Sequence, residues 1–540
     1  MIPLAHLGYP ALAVLTGLAL WPAWSGRPAA WWNGRPAFAV LLAVTLLLAH
    51  APVLGHPREL PNPDEAQLIA GALTLRHEFA PWRSVDLSTS GPVSVFPLLV
   101  GPADFQQARW LAALAVATTL VLGWLALTTR RDDGFARIGA LPVVAFFVFM
   151  QDIELFQFSS EHVAITLLAG AAGVWLAATA HGEKLPSRPA AFGLGVCLGG
   201  AVMAKLQSVP CVAWLGLFSG TLMLLDGRVR RARRLAVCGA LLAGGLLVPA
   251  GFALLAAGQG VLADFIHSYA LNNVHYVSGM EHYSHSYEPA SVWGLNYLLK
   301  PAALLLLAGL LASRRFAPAD RWTALLALGW LAAAIVAIML PGRNSRHYWF
   351  FVFGPVLFAL GAVISPAWRA SLTRWPALAA RQRWAQLALV AFLLGLPVAH
   401  RLASSRDLAL AGSLAEPQTV QGAGEKIRGL ARPGDALTIW GWRPELHVFS
   451  GLPQGTRDAH SQWQIAAIPQ RDYYRRRFLA DLDRTKPRFF VDAVGPGGFG
   501  FTDRAAAGHE TFPPLAELIR THYTFLGETE AMRLYVRHAD

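Results

Sequence analysis

The chain has 540 residues, of which 54% are hydrophobic and only 14% charged, with a formal net charge of +12 and a mean hydropathy of +0.40. Soluble globular domains carry about a quarter charged residues, so this composition excludes an ordinary soluble enzyme. Charge is confined to short basic loops between long uncharged runs, which makes the Lys and Arg excess a mark of membrane topology and not of nucleic-acid binding.

About twelve runs approach the roughly 20 apolar residues that a bilayer span requires. They lie near 8–24, 37–55, 107–128, 138–157, 162–180, 190–204, 206–225, 235–257, 293–312, 322–341, 348–365 and 384–400. The first is short and rich in Trp and Pro, and it lacks the basic start and Ala-x-Ala end of a cleaved signal peptide. With the 25–36 loop inside, the inside loops hold nineteen Lys and Arg and the outside turns six. That bias puts the 56–106 loop and everything beyond residue 400 outside. The run Arg228–Arg234 reads as a stop signal against anionic lipid. Cys197, Cys211 and Cys238 fall inside apolar runs without metal-ligand spacing and read as core. No internal repeat is visible, which disfavours many transporter folds.

The chain changes character near 401. Gln418–Leu430 reads as an amphipathic helix, Ala436–Trp440 as a buried strand, Tyr473–Arg484 as a helix, and Arg488–Val491 as a strand. Pro514–His522 reads as a helix and Met532–Val536 as a strand. The alternation predicts a small α/β domain over 401–540. The expected fold is a polytopic α-helical membrane protein with a C-terminal extracytoplasmic α/β domain.

Polar chemistry is concentrated in the outer loops at 56–106, 151–161, 258–292 and 342–347. The first holds the adjacent acids Asp64 and Glu65, within Pro61-Asn62-Pro63-Asp64-Glu65-Ala66-Gln67. The second holds Asp152, Glu154 and Glu161, and Lys205 follows at the next outer turn. The third is rich in His and Tyr. The last runs through Arg343 and Arg346 into His347 and Tyr348. Each residue also has a structural reading. Asn62 and Asp64 stand where a helix cap would. Glu65 and Glu161 are first-turn acids, Asp152 and Glu154 are end-of-span acids, and Lys and Arg near a bilayer snorkel. Glu281, His282 and His285 have zinc-like spacing, but no second ligand pair accompanies them. No metal or other cofactor is expected.

Acids in the first two outer loops and cations at two later turns suit one reaction. A sugar leaving a lipid phosphate needs its departing charge stabilised, and an acceptor hydroxyl needs a carboxylate to take its proton. Nearly the whole chain resembles the polyprenyl-phosphate-dependent glycosyltransferases of the C-type membrane fold. The nearest groups are protein O-mannosyltransferase-like and lipid A aminoarabinose transferase-like enzymes. The resemblance rests on four features: Pro63-Asp64-Glu65, the second-loop acid with Lys205, Arg343-x-x-Arg346-His347-Tyr348, and Pro433-Gly434-Asp435 followed by Trp440-Gly441 and Pro444-Glu445-Leu446.

The resemblance implies Asp64 as the base or acceptor-orienting acid, with Glu65 beside it and Glu161 as the second-loop acid, Asp152 competing. It implies Lys205, Arg343 and Arg346 facing the lipid phosphate, and His347 and Tyr348 hydrogen-bonding phosphate or sugar. Two apparent spans precede the acidic loop, where the family usually has one. The implied partners are a polyprenyl-phosphate sugar donor, a glycan, lipid or protein hydroxyl acceptor, and membrane lipids. The implied place is the bacterial inner membrane, with the site and the C-terminal domain on the periplasmic side and inversion at the sugar. A transporter or flippase of lipid-linked sugar is the alternative; its intramembrane charges would line a path, whereas these spans are almost uncharged at mid-depth. A polysaccharide polymerase or ligase would be expected to carry a larger outer loop.

Overall fold

The computed structural model describes residues 6–25, 31–88, 90–129, 133–150, 153–179, 185–274, 318–341, 345–374, 382–403 and 420–538, with scattered positions between 298 and 311. Seven helical segments within them are long and apolar enough to cross a membrane: Arg35–Gly55, Phe105–Thr128, Ser160–Ala178, Leu206–Leu225, Arg231–Gly258, Asp320–Met339 and Arg346–Val363. Gly8–Trp21, Arg188–Ala204 and Gln386–Gly395 are apolar but shorter, and most of 293–312 lies outside the described residues. The protein is thus a polytopic helical membrane protein, with seven such spans described against about twelve expected.

The helices of this bundle approach closely where side chains vanish. Arg188–Ala204 and Arg231–Gly258 cross at Gly195 and Gly244. A Cβ on Gly195 would lie 2.2 Å from the Leu241 carbonyl oxygen, and one on Gly244 2.1 Å from that of Phe192. Small residues at such crossings replace the hydrophobic driving force that lipid does not supply. At the bundle end opposite the acidic loop, buried Arg137 donates to the Asn33 side chain at 2.7 Å and pairs with Asp133 at 2.7 Å.

The C-terminal part carries a four-stranded sheet: β1 (Leu437–Trp440), β2 (Phe489–Asp492), β3 (Tyr523–Thr529) and β4 (Met532–Arg537), in the order β1-β2-β4-β3. β1 and β2 are parallel; β4 is antiparallel to both its neighbours. Three strands match the sequence expectation within a residue or two. β3 was not expected, because it is a polar edge strand interrupted by a bulge between Phe525 and Gly527, with Gly527 at a φ of 116°. Trp440, Phe478, Phe490 and Leu515 form the core on one face. On the other, Leu437, Ile439 and Val491 join one continuous core with Leu68, Ile69 and Ala72 of the acidic-loop helix. Polar bonds fasten the same junction: Gln454 N–H donates to Thr74 Oγ1 at 2.9 Å and Arg457 to the Trp82 carbonyl at 2.9 Å.

Candidate active site

The acidic loop forms a helix, Pro63–His77, and its first turn explains what each acid is free to do. The Asn62 side-chain oxygen accepts the backbone N–H of Asp64 at 2.8 Å and of Glu65 at 3.2 Å. Pro63, at the first helical position, has no N–H to satisfy. Asn62 also donates to Gln157 Oε1 at 2.6 Å, which ties the cap to the second loop. Capping is therefore done by Asn62, not Asp64. The half-buried Asp64 carboxylate accepts no hydrogen bond among the described residues.

Glu65 points elsewhere and is fully buried. Its Oε2 accepts Arg109 Nε at 2.9 Å and lies 2.7 Å from Nη2, and its Oε1 accepts the Phe158 N–H at 2.9 Å. Arg109 Nη2 also donates to the Leu60 carbonyl at 2.6 Å. Glu65 thus clasps a span and the second loop to the acidic helix, and its capacity to accept is taken up there.

The remaining groups converge on Asp64. Glu161 opens the helix Ser160–Ala178, started by a reciprocal capping box between Ser159 and His162. It is buried, with Oε1 3.0 Å from Lys205 Nζ and Oε2 accepting from Ser160 Oγ at 3.2 Å. Lys205 closes the C-terminus of Arg188–Ala204. His347 sits in the 3-10 turn Arg346–Trp349. Its Nδ1 is 2.6 Å from Glu154 Oε1 and its Nε2 3.9 Å from Glu161 Oε1. Tyr348 packs edge-on to His347, with the Lys205 ammonium 5.7 Å from its ring centre. Arg346 is exposed and lies within electrostatic reach of Glu154. Arg343, Asp152 and the Glu281–His285 segment lie outside the described residues.

The electrostatics follow from burial and this pairing. Burial, the largest influence, lifts the Asp64 carboxyl above the ordinary aspartate value; His347 and Lys205 pull it down, and Glu154 and Glu161 push it back up. Burial alone would also raise Glu154, but its bond to His347 holds it below the usual glutamate range. A further acid arrives from the C-terminal domain. Glu445 is buried beside Arg443, 3.7 Å away. Burial, opposed by Arg443 and reinforced by Asp64, pushes its carboxyl up to about 7.

Sequence reasoning missed three members of this arrangement. Arg109 carried one signal, a charge just inside an apolar run that had to find a partner. Glu154 was set aside as an end-of-span acid. Glu445 appeared only within a resemblance pattern. Elsewhere, Asp492, His509 and Glu510 cluster at the C-terminal end of the central strand β2 with ligand atoms within 4.8 Å of one another, but Arg533 inserts its guanidinium between Asp492 and Glu510 and supplies the positive charge.

No family model and no curated protein sequence matches the chain. Solved structures do. Crystal structures of ArnT from Cupriavidus metallidurans are similar over nearly full length at 15% identity. The apo form has a TM-score of 0.55, covering 92% of this chain and 97% of that one. The form bound to undecaprenyl phosphate has a TM-score of 0.57, covering 93% and 98%. The chain has the fold of these ArnT structures.

Proposed function

We propose that this protein is an inverting membrane glycosyltransferase that moves a monosaccharide from a polyprenyl-phosphate carrier to a hydroxyl acceptor at the outer face of the inner membrane. The observation that carries the reading is the division at the site: one carboxylate, Asp64, that accepts no hydrogen bond among the described residues, beside cations held by two other acids. A base must be free to accept a proton, and a partly buried carboxyl with a raised pKa is a stronger base than an exposed one. The acceptor oxygen attacks the sugar C1, its proton passes to Asp64, and the bond from C1 to the phosphate oxygen breaks with its electrons leaving on the phosphate. Lys205 and His347 receive that developing charge, Lys205 exchanging Glu161 for phosphate. Glu154 orients His347 and Glu161 positions Lys205. Arg346 adds positive charge at the rim, and Tyr348 walls the pair. Glu65 acts through position, holding the Asp64 turn in place. The C-terminal domain, taken as 401–540, covers the site.

Undecaprenyl phosphate, seen in ArnT of the same fold, is the first carrier to test. The experiment is transfer of label from a panel of radiolabelled undecaprenyl-phosphate sugars by purified protein in nanodiscs, for wild type and Asp64→Asn. Transfer by wild type that Asp64→Asn reduces about 10²–10⁴-fold, with carrier still bound, supports the reading. Folded wild type with neither carrier binding nor turnover refutes it and points to flux of lipid-linked sugar as the next assay.

A further inference from the structure

An open cavity lies between the acidic-loop region and the C-terminal domain. Its wall includes Gln67, Asp86 and Ser90 from the loop side and Asp458, His460 and Trp463 from the domain side. Two features connect it to the site above. Gln67 lies three residues beyond Asp64 on the same helix, and such residues share a face. Ser90 Oγ donates to Ser160 Oγ at 3.4 Å, which donates to Glu161 Oε2 at 3.2 Å.

The wall is built rigidly and left incomplete. Arg477 bridges the two sides, pairing with Asp86 and, at 2.8 Å, with Asp458. His460 Nε2 is 3.1 Å from Gln67 Oε1, and the His460 ring stacks on Trp442 with centres 4.8 Å apart. Yet Asp86 Oδ1, on a side chain only 3% exposed, has no hydrogen-bond partner among the described residues. A buried carboxylate oxygen without a donor is costly, and here it belongs to the wall of an open cavity. Burial, opposed by Arg477 and reinforced by Asp86, pushes the Asp458 carboxyl up to about 7, so the wall offers protonated as well as ionised acid near neutral pH. Hydroxyl, amide, imidazole and carboxyl groups beside one indole are the chemistry that a sugar ring needs: many short hydrogen bonds around its hydroxyls and an apolar plate for its C–H face.

We propose that this junction cavity binds a sugar ring, with Asp86 Oδ1 accepting one of its hydroxyls. The ring is carried either by the donor or by a glycolipid acceptor. The proposal rests on the transferase reading and deepens it, because it makes the C-terminal domain part of the substrate site.

The test uses full-length protein in nanodiscs with Ser90→Ala and His460→Gln, which leave the Arg477 bridge intact. Three quantities are read: the Kd for bare undecaprenyl phosphate, the Kd for the undecaprenyl-phosphate sugar that wild type turns over, and the KM for lipid A as acceptor. A Kd for bare carrier within twofold of wild type, with the sugar-bearing carrier weakened about tenfold, assigns the cavity to the transferred sugar. An unchanged donor Kd with the lipid A KM raised about tenfold assigns it to the acceptor. Folded variants with all three quantities unchanged overturn the proposal. Wild type that binds neither carrier overturns the transferase reading itself, and this cavity's role with it.

Discussion

Two clusters in this molecule use the same ingredients for different ends. At the end of the central strand β2, Asp492, His509 and Glu510 surround Arg533, and each acid is paired: Asp492 Oδ2 is 2.7 Å from His509 Nδ1, and Glu510 Oε2 accepts from Arg533 at 2.8 Å. At the acidic loop, Glu154 pairs with His347 and Glu161 with Lys205, while Asp64 is left over among the described residues. A saturated network holds structure together; a network with one group to spare can change its protonation without losing its geometry. Glu65 repeats the lesson at one residue's distance from Asp64, because Arg109 and the Phe158 N–H consume it.

The comparison breaks first at Glu65. Removing one partner of a fully buried ion pair costs about 3–5 kcal/mol, so Glu65→Gln is expected to collapse the yield of folded protein, and the double variant Glu65→Leu with Arg109→Met to recover much of it. Size-exclusion profiles in detergent check this; a stable, active Glu65→Gln with wild-type yield removes the structural assignment. Next in size, Lys205→Met is expected to lower kcat/KM for a lipid-phosphate sugar about 10²–10³-fold, as loss of one charge-stabilising group does, with folding retained. A loss below about fivefold would take Lys205 out of the phosphate site.

A smaller effect distinguishes Glu445. Its carboxyl lies at about 7 against an ordinary 4.5, a difference worth about 3 kcal/mol in this buried setting. The native state holds the proton that the unfolded chain has lost, so stability falls as pH rises from about 4.5 to 7 and stays low above it. Glu445→Gln is therefore expected to raise the thermal midpoint at pH 8 and to change it little at pH 4.5. Equal shifts at both pH values would contradict the burial argument. The smallest change to activity belongs to the saturated cluster: Arg533→Met is expected to lower the thermal midpoint while turnover per folded molecule stays within about twofold. An Arg533→Met protein that is stable but inactive would show that this cluster serves catalysis.

Much of this was legible in the sequence, for reasons particular residues make plain. Uncharged runs such as Phe38–Leu54 announce spans by composition alone. β1 and β2 announce themselves by apolar residues that are buried on both faces. Asp64, Glu161, Lys205, His347 and Tyr348 were singled out as charged or polar residues at loop ends, and the fold brings all five to one end of the bundle. The pairing was not legible. His347 meets Glu154 across 193 residues and Arg109 meets Glu65 across 44, and sequence spacing carries no trace of such distances. The roles of Asn62 and Asp64 were likewise open, since both residues suit a cap; only the backbone geometry assigns it to Asn62.

The most direct test of the central claim is the pH dependence of kcat/KM for wild type and Asp64→Asn on one lipid-phosphate sugar. A base works only when ionised, and burial raises Asp64 above the ordinary aspartate value, so the rate is expected to climb with pH along an acid limb that lies above that of an ordinary aspartate. Asp64→Asn is expected to lose about 10²–10⁴-fold in rate and to lose that limb with it. An Asp64→Asn enzyme that keeps activity within tenfold of wild type, with the same acid limb, would contradict the assignment of Asp64 as the base.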